Sequence, residues 1–279
     1  MPSINTNVAA IKARSNLDRV QREMDTSIAR LSSGKRITRA ADDAAGSAIA
    51  GRMESQIRGL NMSIRGAKDG QSLVDTQEGA LQEVTALLQR MRELAVQSES
   101  GALADADRDY LQLEVTQLFN EINAISANTK FNDTRVMTGA SFTFYTDIDV
   151  AGTAITTVEV SASAQNLVTS ISSISIGSGQ VLGSSSGVQA SISIIDAAIV
   201  SVASMRANLG AVSNRFDHII DNLTNVVANT EAAKSRVEDA DFAVETTQLT
   251  RNTVLQQAAT SMVAQANAQK NSILALIQG

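Results

Sequence analysis

After Pro2 the chain runs to Gly279 without another proline. At the ordinary frequency of about 5%, roughly 14 would be expected in a chain of this length. Proline lacks the backbone donor and its ring collides with the preceding helical turn, so a chain without it can form helices of unusual length. Both ends use that freedom, because apolar residues recur there at helical spacing. The middle, rich in serine, threonine and glycine, does not.

The spacing predicts a first helix from about Ser3 to Ser33. Its apolar stripe holds Ile4, Val8 and Ile11, then Leu17, Val20, Met24, Ile28 and Leu31. Within each group the steps are three or four, as a helical period requires. SSGKR at 32–36 supplies a glycine stop with basic residues beside it, and Asp42 or Asp43 can cap the helix that follows. That second helix, from about Asp42 to Ser100, is expected to be the longest. Leu60, Ala67, Val74, Leu81, Leu88 and Ala95 recur every seven residues, with Ile57, Ile64, Val84 and Met91 between them. This is the pattern of a supercoiled seam. Six glycines (Gly46, Gly51, Gly59, Gly66, Gly70 and Gly79) interrupt it. Each costs about 0.8–1 kcal/mol against alanine, which close approach by a neighbouring backbone would offset.

Gly101 ends the pattern, and Asp105 or Asp107 can cap a third helix carrying Leu111, Val115, Leu118, Ile122 and Ile125. KFNDTRVMTG at 130–139 reads as a turn. Between 141 and about 189 the chain alternates in FTFYTDIDV and TAITTVEVSA, with Gly152 between the runs, which signals a small β-hairpin. ISSISIGSGQVLGSSSG then reads as loop. A long returning helix carries Ile195, Ile199, Val202, Met205, Leu209, Val212, Phe216, Ile219, Leu223, Val226, Ala233 and Val237 on one face, until VEDAD at 237–241 interrupts it. The last helix presents Leu255, Ala259, Met262, Ala266, Ile273 and Leu276. The expected fold is mainly α: an elongated antiparallel helical bundle or coiled coil formed by the N- and C-terminal regions, with a small central β-hairpin.

A helix alone in water solvates its outer face with charge. From Thr246 onward there is no acidic residue, and only Arg251 and Lys270 are basic. The remaining outer positions are glutamine, asparagine, serine and threonine, which suits burial among other helices. Isolated helices are marginal in water. Both terminal segments are therefore expected to become fully ordered only when packed among copies of the chain.

Composition narrows the function. Only 3% of residues are aromatic and none is tryptophan, so small aliphatic side chains must build narrow helix–helix seams. A net charge of −6 argues against nucleic acid as a partner, since phosphate binding wants a basic surface. The absence of cysteine removes disulfides, thiolate zinc sites and thiol nucleophiles. The opening residues carry no secretory signal pattern, and no long unbroken apolar run suggests membrane insertion. His218 is the only histidine, placed at the flank of a long helix rather than in a ligand cluster. Asp42 and Asp43 are better explained as caps than as a metal pair. No cofactor, metal or catalytic constellation is expected. Ser163, Ser170, Ser172, Ser173 and Ser184 to Ser186 lie in the middle segment, where sugars could be attached.

Several stretches together resemble one family. SINTN at 3–7, LSSGKRITRAADDAAG at 31–46, EGALQEVTALLQRMRELAVQ at 78–97, SRVEDADFAVE at 235–245 and VLQQAATSMVAQAN at 254–267 are similar to the terminal regions of bacterial flagellins. The likeness covers about 1–140 and 190–279. It implies a structural, non-enzymatic subunit that self-assembles into the helical flagellar filament for motility. On that likeness, residues 1–35 and 245–279 form a terminal coiled coil lining the filament, 36–140 and 190–244 a helical rod domain, and 141–189 a short variable surface segment. The implied setting is extracellular, reached unfolded through the flagellar type III apparatus without a cleaved signal. The implied partners are many copies of the chain itself, an export chaperone, and hook-junction and cap proteins. Gln89, Arg90, Leu94 and Glu114 match the surface that Toll-like receptor 5 recognises in many flagellins, although packing between subunits accounts for the same residues. Lys270 stands where many relatives carry proline. The competing readings are a hook–filament junction protein, which shares weaker terminal similarity, and a type III-secreted coiled-coil binding module.

Overall fold

The computed structural model describes residues 7–145, 157–160, 163–177 and 186–278. In chain order the elements are α1 (Val8–Ser33), α2 (Ala44–Ser98), α3 (Asp105–Asn128), β1 (Lys130–Phe131), β2 (Thr134–Arg135), β3 (Phe142–Tyr145), β4 (Thr157–Val160), α4 (Ala164–Ile171), α5 (Ser186–Glu238) and α6 (Phe242–Gln278). Two compact units result, one of residues 1–57 with 228–279 and the other of residues 58–227. The mainly α fold with long packed helices and a small antiparallel strand pair is the one the sequence predicts.

In the first unit each helix end has an identifiable cause. Asn7 caps α1, its side-chain oxygen accepting from the Ala10 N–H at 3.0 Å, so the helix starts at Val8 rather than at Ser3. Ile4 lies outside the described residues. At the other end Gly34 takes a left-handed φ of 71° and donates to the Arg30 carbonyl at 2.8 Å, as the glycine stop predicts. The two aspartates that follow divide the capping work. Asp43 Oδ1 accepts from Gly46 N at 2.8 Å at the start of α2. Asp42 Oδ2 accepts from Arg39 N at 3.0 Å, Thr38 Oγ1 at 2.9 Å and Thr38 N at 3.0 Å, closing the turn before it.

VEDAD breaks the returning helix where the sequence places the interruption. α5 ends at Glu238, and Asp241 Oδ1 accepts from Ala243 N at 2.8 Å to start α6. The two breaks bond to each other: Arg36 N donates to the Glu238 carbonyl at 2.7 Å, and Ala240 N to that of Gly34 at 2.9 Å. Lys35 Nζ meets Glu238 Oε1 at 2.5 Å, and Lys234 pairs with both Glu54 and Glu238.

The second unit has the larger core. Ala67, Val74, Leu81, Val84, Leu88, Met91 and Ala95, all on the predicted heptad stripe of α2, are buried. They face Ile195, Val202, Leu209 and Phe216 of α5 and Val115 and Ile122 of α3 within one cluster. Gln71 to Asp217 at 2.8 Å, Glu78 to Arg206 at 2.7 Å and Arg92 to Asp196 at 2.6 Å run in opposite senses along α2 and α5, so the pair is antiparallel. An 18-residue window of α5 reaches a mean hydropathy of 1.6, apolar enough by composition to cross a membrane. In this structure 28% of that window is buried, with Ile195, Ala198, Val202 and Leu209 of α5 in the core.

Three features differ from the expectation and one agrees with it. The cap of α3 is Ala104, not Asp105 or Asp107; both aspartates lie in the first turn, where Asp107 Oδ2 accepts from Ala104 N at 3.2 Å and negative charge suits the helix dipole. The turn at 130–139 contains a two-strand hairpin, with Asn132 and Asp133 at φ 48° and 63° as a type I′ turn requires. The predicted central hairpin forms by pairing Phe142 with Val160 through Tyr145 with Thr157, while Gly152 lies outside the described residues. The supposed solvent-facing middle also contributes to the core. Val160, Ala164, Leu167, Val168 and Ile171 are buried, as are Ile174 and Ile176 from the stretch read as loop.

Of the α2 glycines, Gly66 has neighbouring backbone near it, its Cβ position 3.8 Å from the Tyr145 carbonyl oxygen, whereas Gly46, Gly51, Gly70 and Gly79 depart from the expectation. A Cβ on Gly70 would stand 2.6 Å from the Phe216 ring and 3.1 Å from Phe144, so aromatic edges rather than a backbone fill its space. Those two rings meet edge to face with centroids 5.8 Å apart, seating β3 on the core. At Gly46 the space belongs to Asp43 and Ile37, whereas Gly51 and Gly79 face no atom within 4 Å.

Candidate assembly surfaces

α1 and α6 are joined by polar contacts. Asn7 Nδ2 donates to the Ala266 carbonyl at 3.0 Å, Gln256 Nε2 to Gln21 Oε1 at 2.5 Å, and Arg30 Nη1 to Glu245 Oε1 at 3.0 Å. These pairs step along the two helices in opposite directions and so fix an antiparallel register. Glu245 is 7% exposed and Asn252, on the same face of α6, is 3% exposed. Between the polar contacts, Leu17, Val20, Met24, Ser27 and Leu31 of α1 are buried or half-buried, as are Leu249, Thr253, Ala259, Val263 and Ala266 of α6.

The predicted packing stripe is therefore divided. Leu17, Val20, Met24, Leu31, Ala259 and Ala266 turn inward toward the partner helix. Val8, Ile11 and Ile28 stay outside at 53%, 59% and 47% exposure, and so do Leu255 at 44% and Met262 at 62%. Val244 and Val254 are exposed as well. Intervals of eleven and seven place Val244, Leu255 and Met262 on one line along α6, about 100° around the axis from the α1-facing residues. The side chains of Ile273 and Leu276 lie outside the described residues. One chain thus covers a seam rich in polar groups and leaves a second, more apolar strip open. Arg251 lies on the same line between Val244 and Leu255, so the open strip carries a cation among apolar side chains. Such a strip is a candidate contact with a neighbouring chain.

Sequence reasoning found the apolar half of the inner seam and missed the residues that fix its register, because they are polar. A search for apolar periodicity passes over Gln21, Arg30, Glu245, Asn252 and Gln256. The available signal was a buried-looking helix with almost no charge and a glutamate at its start.

The four residues of the other candidate surface do not all share it. Arg90 Nε and Nη2 each lie 2.9 Å from Glu114 Oε1, and Nη1 lies 3.1 Å from Glu93 Oε2. The bond to Glu114, then that to Glu93, raises the Arg90 pKa. Gln89 is exposed beside it. Leu94 is 1% exposed and belongs to the core, so it is removed from the surface set. Exposed Tyr110 and Leu113 of α3 accompany Glu114 instead. His218 is exposed, and among the described residues no cluster of three metal-ligating side chains occurs.

Residues 4–141 match the family model of the bacterial flagellin N-terminal helical region, and residues 192–277 that of the bacterial flagellin C-terminal helical region. A flagellin from Halalkalibacterium halodurans is 38% identical over 285 residues, covering 99% of each chain. One from Bacillus subtilis is 36% identical over 305 residues, again covering 99% of each. Among solved structures, a protein described as flagellar hook-associated, from Vibrio parahaemolyticus, superposes with a TM-score of 0.62. It is 15% identical and aligns over 71% of this chain and 100% of its own. That likeness concerns the fold alone.

Proposed function

Because this chain belongs to the bacterial flagellin family and is a subunit of the flagellar filament, we infer that its copies pack through the faces that α1 and α6 leave uncovered. The observation that carries this is the outward apolar set Val8, Ile11, Ile28, Leu255 and Met262, left open while polar side chains fix the inner seam. Burying large aliphatic side chains contributes about 1.5–3 kcal/mol each, so even partial coverage on both helices favours association strongly. Identity of 36–38% across nearly the whole length of flagellins disfavours the hook–filament junction and secreted binding-module readings.

Residues 1–35 with 245–279 would form the inner tube, and 36–140 with 190–244 the layer around it. Residues 141–189 would be the short variable surface segment, anchored to the core through Phe144, Val160, Leu167 and Ile176. The role is structural, without catalysis or cofactor, and the filament lies outside the cell. Export unfolded through the type III channel, without a cleaved signal, suits a chain whose end helices complete their packing only among neighbours. An export chaperone and the hook-junction and cap proteins are the proposed transient partners. Gln89, Arg90 and Glu114 present a charged surface open to a receptor such as Toll-like receptor 5, and the same surface serves contact between subunits.

Amide exchange tests the assembly surfaces. α1 and α6 should be only partly protected in dilute monomer and become strongly protected in polymerised material. Equal protection in both states would show that these helices gain nothing from neighbours.

A further inference from the structure

Met262 is 62% exposed on α6, in line with Val244 and Leu255. It brings an oxidisable group into that strip, in a chain with neither cysteine nor tryptophan. Of the other methionines, Met91 and Met137 are fully buried, Met24, Met53 and Met205 are half-buried, and Met62 on α2 is 58% exposed. Met1 lies outside the described residues. Oxidation of a thioether follows its access to solvent. Among the described residues of the folded, unassembled chain, Met62 and Met262 are therefore the accessible targets.

We propose that Met262 is a modification site for two-electron oxidants of the peroxide class, and that its sulfoxide blocks assembly. The proposal rests on the assembly surface described above. A sulfur lone pair attacks one peroxide oxygen as the O–O bond breaks. The proton on that oxygen passes to the departing hydroxide, giving one sulfoxide and one water. Sulfur is oxidised by two electrons and the peroxide is reduced. The product converts a flexible apolar side chain into a strong hydrogen-bond acceptor. In the free chain that oxygen is solvated. In a packed strip it loses water, and of its neighbours one turn away Ala258, Ala259 and Ala266 offer no side-chain donor, while Gln265 lies at the strip's edge. Burying an unbonded polar group of this size works against association by about tenfold or more. Packing in turn shields the sulfur, so assembled subunits should resist the oxidant that disables free ones.

The test treats soluble full-length protein with hydrogen peroxide, maps the added oxygen by peptide mass spectrometry, and measures the critical concentration for polymerisation. Met62→Leu and Met262→Leu are treated in parallel. Oxygen should appear first on Met62 and Met262. The critical concentration should rise about tenfold for wild type and Met62→Leu, stay near its untreated value for Met262→Leu, and recover after treatment with methionine sulfoxide reductases. Met262 should also oxidise more slowly in pelleted filaments than in monomer. Equal critical concentrations for oxidised wild type and oxidised Met262→Leu would overturn the proposal. Failure of untreated wild type to polymerise would instead sink the assembly reading on which it rests, and the proposal with it.

Discussion

Arg30 and Glu245 are 215 residues apart in the chain, yet Arg30 Nη1 donates to Glu245 Oε1 at 3.0 Å. Glu245 is nearly enclosed, while the Arg30 side chain retains 27% exposure. The pair therefore has more energetic weight than a surface bridge and less than a fully buried one. It joins the last turn of α1 to the first turn of α6, next to the two bonded chain breaks.

Replacing Glu245 by alanine leaves a partly enclosed guanidinium without its partner. The expected cost to the α1–α6 pair is about 2–3 kcal/mol, somewhat below the value for a wholly buried pair. It should appear as faster amide exchange over residues 20–33, with little change in residues 58–227. Exchange unchanged in α1 would show that the pair is ornamental.

Two glycines of α2 should respond in opposite directions. Gly70→Ala drives a methyl to 2.6 Å from the Phe216 ring and should lower stability by about 1–3 kcal/mol. Gly79→Ala meets nothing within 4 Å and should raise the stability of the soluble chain by about 0.5–1 kcal/mol through helix propensity. Thermal unfolding of the two variants compares them directly.

Gln77 is completely buried and its Nε2 donates to the Val136 carbonyl at 2.7 Å, tying α2 to the segment after β2. Gln77→Ala both opens space and strands that carbonyl. A loss of about 2–4 kcal/mol is expected in denaturant unfolding. A loss below about 0.5 kcal/mol would mean the carbonyl finds another donor.

Asp42 gives the chain an acid-sensitive turn. The Arg39 N–H, the Thr38 hydroxyl and the Thr38 N–H hold its carboxyl below the usual carboxylate range, in that order of effect. A depressed folded pKa stabilises the fold above the unfolded value of about 3.9, and that contribution disappears as pH falls through the folded value. Asp42→Asn should therefore be less stable than wild type near neutrality, with the gap narrowing below about pH 4. Unfolding curves for both proteins between acid and neutral pH measure it.

Much of the fold was legible because apolar spacing reports directly on helix–helix seams. The heptad of α2 and the face of α5 from Ile195 to Phe216 are buried where the sequence places them. Gly34 and the VEDAD break have local chemistry that reads equally well. α4 was missed because eight residues of AQNLVTSI are too short to show a period, and its helix is held by packing of Leu167 and Ile171. Ile174 and Ile176 were hidden by the serines around them. The division of the terminal stripe into inner and outer faces was not legible either. It depends on which polar residues pair across α1 and α6, and side chains 215 to 259 positions apart have no sequence signature.

The most direct measurement is polymerisation of Leu255→Asp, assayed by sedimentation and electron microscopy beside wild type. Leu255 is 44% exposed and outside the inner seam, so the soluble chain should keep its helical circular dichroism and unfolding midpoint. The expected result is a folded protein that forms no filaments under conditions where wild type does. Filaments of normal length from this variant would contradict the claim that copies pack through the open face of α6.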